Sequence, residues 1–200
     1  MPAMVIAGTA ALVALATVVV ALVRLHLKPT GLSAIRNPVS QYGICEFRAG
    51  YRTATLAFAA AGAALAVALA RAVLHGTRGI VALLVVFAAA RAVISWFPMD
   101  APNAKHTPTG GAHGLLAIAA FGSVTAAALR LGGALSEQAR WHALAGVSTA
   151  LGALMLVLLA TMATRRAIPL LARWFGALER AFYLAAIAWC LVFALASALA

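Results

Sequence analysis

Six long apolar stretches, each interrupted by few charges, dominate the sequence. A helix needs about 20 mostly apolar residues to cross the hydrocarbon core of a bilayer. The predicted spans cover residues 4–25, 51–74, 80–97, 111–131, 141–164 and 181–200. Charged residues make up only 10% of the chain, whereas a soluble domain carries about 25%. We therefore predict an all-α fold: one polytopic membrane domain over residues 1–200, built as a six-transmembrane-helix bundle.

Lysine and arginine are unevenly distributed between the two sides of such a bundle. With six spans, both termini lie on one side, and the first, third and fifth connections lie on the other. Those three connections and the adjacent span ends hold ten Lys and Arg residues, and the side of the termini holds four. Because positive residues are retained in the cytoplasm, we expect the three long connections to be cytoplasmic and both termini to lie outside the cell membrane.

The formal net charge of +11 would suggest nucleic-acid binding in a soluble protein. Here the basic residues flank apolar stretches, where they set topology and meet anionic lipid head groups. We therefore expect membrane lipids as partners and no nucleic acid. A homo-oligomer or a larger membrane complex is left open.

Polar residues gather on the side of the long connections. Three of the four acidic residues, Glu46, Asp100 and Glu179, fall there. If the six helices close into one bundle, these connections converge and their side chains line one pocket. The candidate ligand-binding residues of this pocket are Arg91, Glu46, Arg48, Tyr42, Glu179 and Arg180.

Asp100 and His113 flank the third connection and are candidate catalytic residues, with Ser40 as a third. Asp100 follows Pro98, which ends the third span. His113 follows two glycines at the start of the fourth span, where the positive helix end disfavours a protonated imidazole. A neutral imidazole suits a base or a metal ligand. The alternatives are structural: Asp100 pairs with a nearby arginine, or His113 bonds to a loop carbonyl.

Arg91 lies inside the third predicted span, where a charge costs roughly 2.5–3.5 kcal/mol on insertion scales. Such a side chain needs a partner, and its helical face points toward the third connection. We expect a salt bridge to Asp100, Glu46 or Glu179. The alternative is a guanidinium that extends to the lipid head groups.

Four short segments occur in a fixed order relative to the spans: Asn-Pro-Val-Ser-Gln-Tyr-Gly at 37–43, Phe-Pro-Met-Asp at 97–100, Gly-Gly-Ala-His at 110–113 and Gly-Ala-Leu-Glu-Arg at 176–180. This order resembles the bacterial and archaeal membrane family known as domain of unknown function 998, and the resemblance covers nearly the whole chain. It implies six helices and a polar mouth, but no reaction. The matching positions are Ser40, Tyr42, Asp100, His113, Glu179 and Arg180.

A fainter resemblance is to the membrane hydrolases related to alkaline ceramidase and to the progestin and adipoQ receptors. That group is expected to use Ser, Asp and three His residues around zinc, and the matching types here are Ser40, Asp100 and His113. This chain has no His after His142, so a zinc site of that kind would lack two ligands.

These residues support two functions from different classes. The first is binding of a lipid head group or small amphiphile, or an accessory role in a complex. The alternative is a membrane-embedded hydrolase acting on a lipid, in which Asp100 or Glu46 orients His113 as base for water or Ser40. No cofactor is predicted. A divalent metal held by Glu46, Asp100, His113 and Glu179 is the metal-dependent version of this alternative.

Overall fold

The computed structural model describes residues 2–72, 76–138, 141–164 and 168–199, and within those ranges it contains helices and no strand. The helices are α1 (Pro2–Leu27), α2 (Arg48–Arg71), α3 (Arg78–Val93), α4 (Pro108–Ser136), α5 (His142–Ala163), α6 (Pro169–Arg173) and α7 (Phe175–Ala198). Short 3-10 helices cover Val39–Ile44, before α2, and Ile94–Trp96, after α3. Six of these helices, all except α6, are long and apolar enough to cross a membrane. The predicted all-α, six-span fold is confirmed.

The six long helices form a closed ring in chain order. Each of α1 to α4 packs against the next helix along the chain, α5 packs against α7, and α7 returns to α1. The α1–α7 contact brings the two backbones very close, because a Cβ on Gly8 would lie 2.5 Å from the backbone nitrogen of Ala198. A small residue is what such an approach requires.

The inner faces of the ring hold large buried side chains, whereas apolar side chains also cover much of the outer surface. At the centre, the Trp189 indole N–H donates to the Ser148 hydroxyl at 2.8 Å, and that hydroxyl donates to the Ala128 carbonyl at 2.7 Å. This chain of bonds joins α7, α5 and α4. On the outside, Leu115 and Ile118 are 71% and 67% exposed, as expected for residues that face lipid.

Several helix ends differ from the predicted spans, and at α4 a capping signal explains the difference. α4 begins at Pro108 instead of 111, because Pro108 occupies the first turn and the Thr107 hydroxyl accepts a bond from the Gly110 N–H at 3.0 Å. It continues to Ser136, and Leu135 is buried. α7 begins at Phe175 instead of 181. Residues 73, 74 and 200 of the predicted spans lie outside the described residues.

Candidate functional site

A cavity of about 890 Å³ lies at the end of the ring where the first and third connections meet. Its volume is within the range of roughly 300–1,000 Å³ found for small-molecule sites. Five of the predicted site residues line this cavity: Ser40, Arg91, Asp100, His113 and Glu179. Other lining residues come from α2, α4, α5, α7 and the 3-10 helix after α3, and include Tyr51, Ile94, Phe121, Leu159 and Tyr183. Tyr42, Glu46, Arg48 and Arg180 are not among the residues that line it.

Arg91 is the most deeply buried charge at this cavity, with 2% of its surface exposed. Its guanidinium carbon lies 5.2 Å from the centre of the Tyr183 ring and 5.6 Å from that of Phe58. Among the described residues, none of the three carboxylates expected as partners forms an ion pair with Arg91. Glu179 is the one whose charge acts on Arg91, from a longer distance. The alternative of a guanidinium extending to the head groups is wrong, because the side chain points into the bundle and is enclosed there.

Two buried polar atoms at the cavity have no hydrogen-bond partner among the described residues: Arg91 Nε and the Tyr51 hydroxyl. Tyr51 is 3% exposed and lies in the first turn of α2. Buried polar groups are nearly always paired, so two adjacent unpaired donors on one wall are unusual. Tyr51 was not predicted as a site residue, since a tyrosine near a span end is typical of the aromatic belt.

Glu179 and Arg180 hold the first connection against α7. The Glu179 carboxylate Oε2 accepts a hydrogen bond from the Val39 backbone N–H at 2.6 Å. Arg180 Nη1 donates to the carbonyls of Ala34 at 2.8 Å and Asn37 at 2.7 Å. These bonds join residues far apart in the chain and shape one wall of the cavity.

Arg180 also reaches α1 and the 3-10 helix. Its Nε donates to His26 Nε2 at 2.6 Å, and its Nη2 lies 3.5 Å from the Tyr42 hydroxyl. Tyr42 itself is buried, with 2% of its surface exposed. Tyr42 and Arg180, two of the six predicted ligand-binding residues, therefore contact protein groups behind the cavity wall.

Asp100 ties the third connection to the start of α4. Its Oδ1 accepts from the Thr107 hydroxyl at 2.7 Å and its Oδ2 from the Thr107 N–H at 3.2 Å, with His106 Nδ1 at 3.6 Å from Oδ2. These hydrogen bonds, that of the Thr107 hydroxyl first, lower the pKa of Asp100 below its usual value. The partners of Asp100 are thus a hydroxyl, an amide and a histidine, and not the arginine of the structural alternative.

His113 lies in the second turn of α4 and is 7% exposed. Its Nδ1 is 2.7 Å from the Phe97 carbonyl oxygen. A carbonyl only accepts, so Nδ1 carries the hydrogen and Nε2 keeps a lone pair. The loop-carbonyl alternative of the sequence analysis is therefore observed. Among the described residues, no carboxylate forms a hydrogen bond with this imidazole.

The remaining predicted residues have other surroundings. The Ser40 hydroxyl donates to the Met99 sulfur at 3.2 Å. Glu46 and Arg48 are exposed. Across the described ranges, no group of three or more His, Cys, Asp or Glu side chains could hold a metal ion. Glu46, Asp100, His113 and Glu179 thus do not form such a group.

Comparisons with known proteins give a family and no closer relative. No match is found among curated proteins or among solved structures. The family model described as "Protein of unknown function (DUF998)" matches residues 6–196, nearly the whole chain. The chain belongs to this family of unknown function, DUF998.

Proposed function

We propose that this protein binds the anionic head group of a membrane amphiphile in the cavity that Arg91 lines. The observation that carries the proposal is the buried Arg91 guanidinium, whose Nε has no partner among the described residues. Burying a charge without a full set of hydrogen bonds is unfavourable. A phosphate or carboxylate in the cavity would supply the missing acceptor, and the Tyr51 hydroxyl would donate to the same group.

The cavity walls support an amphiphile over a fully polar ligand. Phe121 and Leu159 give the cavity an apolar side. Leu115 and Ile118 line the cavity and are also more than half exposed on the outer face of α4. The cavity therefore reaches the surface that would face lipid, and an acyl tail can extend along that surface while its head group lies at Arg91.

The membrane and its sidedness are part of the proposal. The Lys and Arg count favours the cell membrane with the first, third and fifth connections in the cytoplasm. Asp100 and His113 would then face the cytoplasmic leaflet, and the amphiphile would come from that leaflet. Labelling of a single cysteine introduced near residue 103, in intact and in permeabilised cells, tests this orientation.

The test of binding compares wild-type protein with Arg91→Gln and Arg91→Lys in mild detergent. The probe is phosphatidic acid, whose binding is measured by native mass spectrometry and by the rise in thermal stability. A hydrogen bond to a charged group contributes about 1.5–3 kcal/mol, so Arg91→Gln weakens binding by about ten- to a hundredfold. Arg91→Lys keeps the charge and retains part of the affinity.

Arg48→Gln is the matched control, because Arg48 is exposed and does not line the cavity. It leaves binding unchanged. Equal binding by wild type and a folded Arg91→Gln variant overturns the proposal. If phosphatidic acid does not bind the wild type, an accessory role in a membrane complex is favoured instead.

A lipid hydrolase is the second candidate, and the His113 geometry is what favours it. A neutral imidazole with a free Nε2 lone pair suits a general base. No described carboxylate orients it, however, and Ser40 bonds to Met99. If the protein is a lipid hydrolase, the wild type releases the head group from a labelled phospholipid, and His113→Gln abolishes that release. Absence of turnover in the wild type excludes it.

A further inference from the structure

A second cavity, of about 280 Å³, lies at the opposite end of the ring, where α1 begins and α7 ends. Every long helix contributes to its lining, so it lies inside the ring and not on an outer face. Its lining includes Met4, Leu65, Leu84, Trp141 and Trp189. It shares no lining residue with the cavity at Arg91.

The wall of this second cavity is mostly apolar; its polar residues are Gln138, Ser197 and a single cation. Leu65, Leu84 and Trp189 are buried in the wall, and the indole N–H of Trp189 is already bonded to Ser148. Arg71, at the last position of α2, is the one charged lining residue, and it is exposed. Among the described residues it has no ion pair.

A cluster of aromatic rings separates the two cavities. Phe121 packs on Phe182 with ring centres 4.4 Å apart, and Phe58 packs on Phe87 at 5.0 Å. Tyr183 contacts both Phe58 and Phe121. Because the rings fill the centre of the bundle, a ligand at one end does not reach the other end.

We infer that the second cavity is an independent binding site for a single unbranched fatty acid, whose carboxylate pairs with Arg71. An apolar cavity excludes water and takes apolar ligands. Its volume falls just below the usual range for drug-sized ligands and gives room for one acyl chain rather than the two of a phospholipid. The guanidinium at the lining is a geometric match for a carboxylate.

Tryptophan fluorescence offers a direct test, since two of the four tryptophans, Trp141 and Trp189, line this cavity. Trp96 and Trp174 are about half exposed at the other end. In a Trp96→Phe, Trp174→Phe background, only the cavity tryptophans report. A fatty acid brominated on its chain then quenches the emission and saturates, and the matching brominated alcohol binds about tenfold more weakly.

Variants separate this site from detergent partitioning and from the proposed site at Arg91. Arg71→Gln, at an exposed position that tolerates change, removes the preference for the acid over the alcohol. Ala68→Phe, whose side chain fills the cavity, abolishes saturable quenching. Arg91→Gln leaves the quenching curve unchanged. The proposal for the Arg91 cavity and the inference for the second cavity can therefore fail independently of each other. Non-saturable quenching, an unchanged preference in Arg71→Gln, or tighter binding of a brominated phospholipid overturns the inference.

Discussion

The Glu179 carboxylate and the Val39 backbone N–H are joined by a 2.6 Å hydrogen bond between residues 140 positions apart. Val39 begins the 3-10 helix of the first connection, and Glu179 lies in the second turn of α7. The bond therefore fixes the first connection over the end of the last helix. It gives a physical reason for a Glu at this position that does not depend on any ligand.

Replacing Glu179 by alanine leaves the buried Val39 N–H without its acceptor, which costs about 1–3 kcal/mol of unfolding free energy. Glu179→Gln keeps an acceptor oxygen and loses less. Equilibrium unfolding in mixed micelles measures both changes. Glu46→Ala, at an exposed site, is the control and stays within about 0.5 kcal/mol of wild type. Equal losses for alanine and glutamine would show that the negative charge, and not the hydrogen bond, stabilises this connection.

The six helices could be predicted from the sequence because each apolar stretch is long enough to require a bilayer or a buried core. Helix ends were harder to predict. Thr107 and Pro108 form a start signal that outweighs the helix-weakening effect of Gly110 and Gly111, whereas the prediction placed the start at Gly111. Hydropathy alone does not encode this competition between caps and propensities.

Part of the lining of the Arg91 cavity could be predicted from the sequence and part could not. Asp100 and His113 were chosen because polar residues near span ends converge in a closed bundle, and Arg91 because a charge inside a span needs a partner. All three line one cavity. The contact of Arg180 with His26 depends on α7 lying beside α1. The order of the helices around the ring is set by how their side chains pack against neighbouring helices. A single sequence does not show which helix faces are neighbours.

Arg180→Lys tests whether the planar guanidinium of Arg180 is needed where α7 meets the first connection and α1. The guanidinium donates from Nη1 to the carbonyls of Ala34 and Asn37 and from Nε to His26. An ammonium is a point charge on a flexible stem and does not reproduce this pattern. We expect a loss of about 1.5–3 kcal/mol in unfolding free energy, measured in mixed micelles.

Arg173→Lys is the matched control for this change, because Arg173 is an exposed arginine just before α7. The control keeps wild-type stability within about 0.5 kcal/mol. If both lysine variants behave alike, the positive charge is sufficient and the directional bonds of Arg180 contribute little.

Gly110 and Gly111 are neighbours in the first turn of α4 with opposite surroundings. A Cβ on Gly110 would collide with the Asp100 carboxylate, whereas one on Gly111 would meet nothing within 4 Å. Gly110→Ala therefore displaces Asp100 from Thr107 and lowers stability. Gly111→Ala only gains helix propensity, about 0.5–1 kcal/mol. In thermal unfolding, the melting temperature falls for Gly110→Ala and rises for Gly111→Ala. A rise in both variants would mean that Asp100 moves away freely.

The contact between α1 and α7 closes the ring, and Gly8 tests how tightly it does so. A Cβ at Gly8 would lie 2.5 Å from Ala198 N and 2.8 Å from Ser197 C, which are backbone atoms that cannot rotate away. Gly8→Ala therefore forces the two helices apart, and we expect a loss of about 1–3 kcal/mol, as is typical of overpacking. Gly146→Ala, at a position on α5 with nothing within 4 Å, is the control and keeps or raises stability.

Because Met4 and Ser197 line the second cavity from either side of this contact, Gly8→Ala also weakens the saturable quenching by a brominated fatty acid. Wild-type stability in Gly8→Ala would mean that α1 shifts along α7 without cost and that the ring is not held closed at this point.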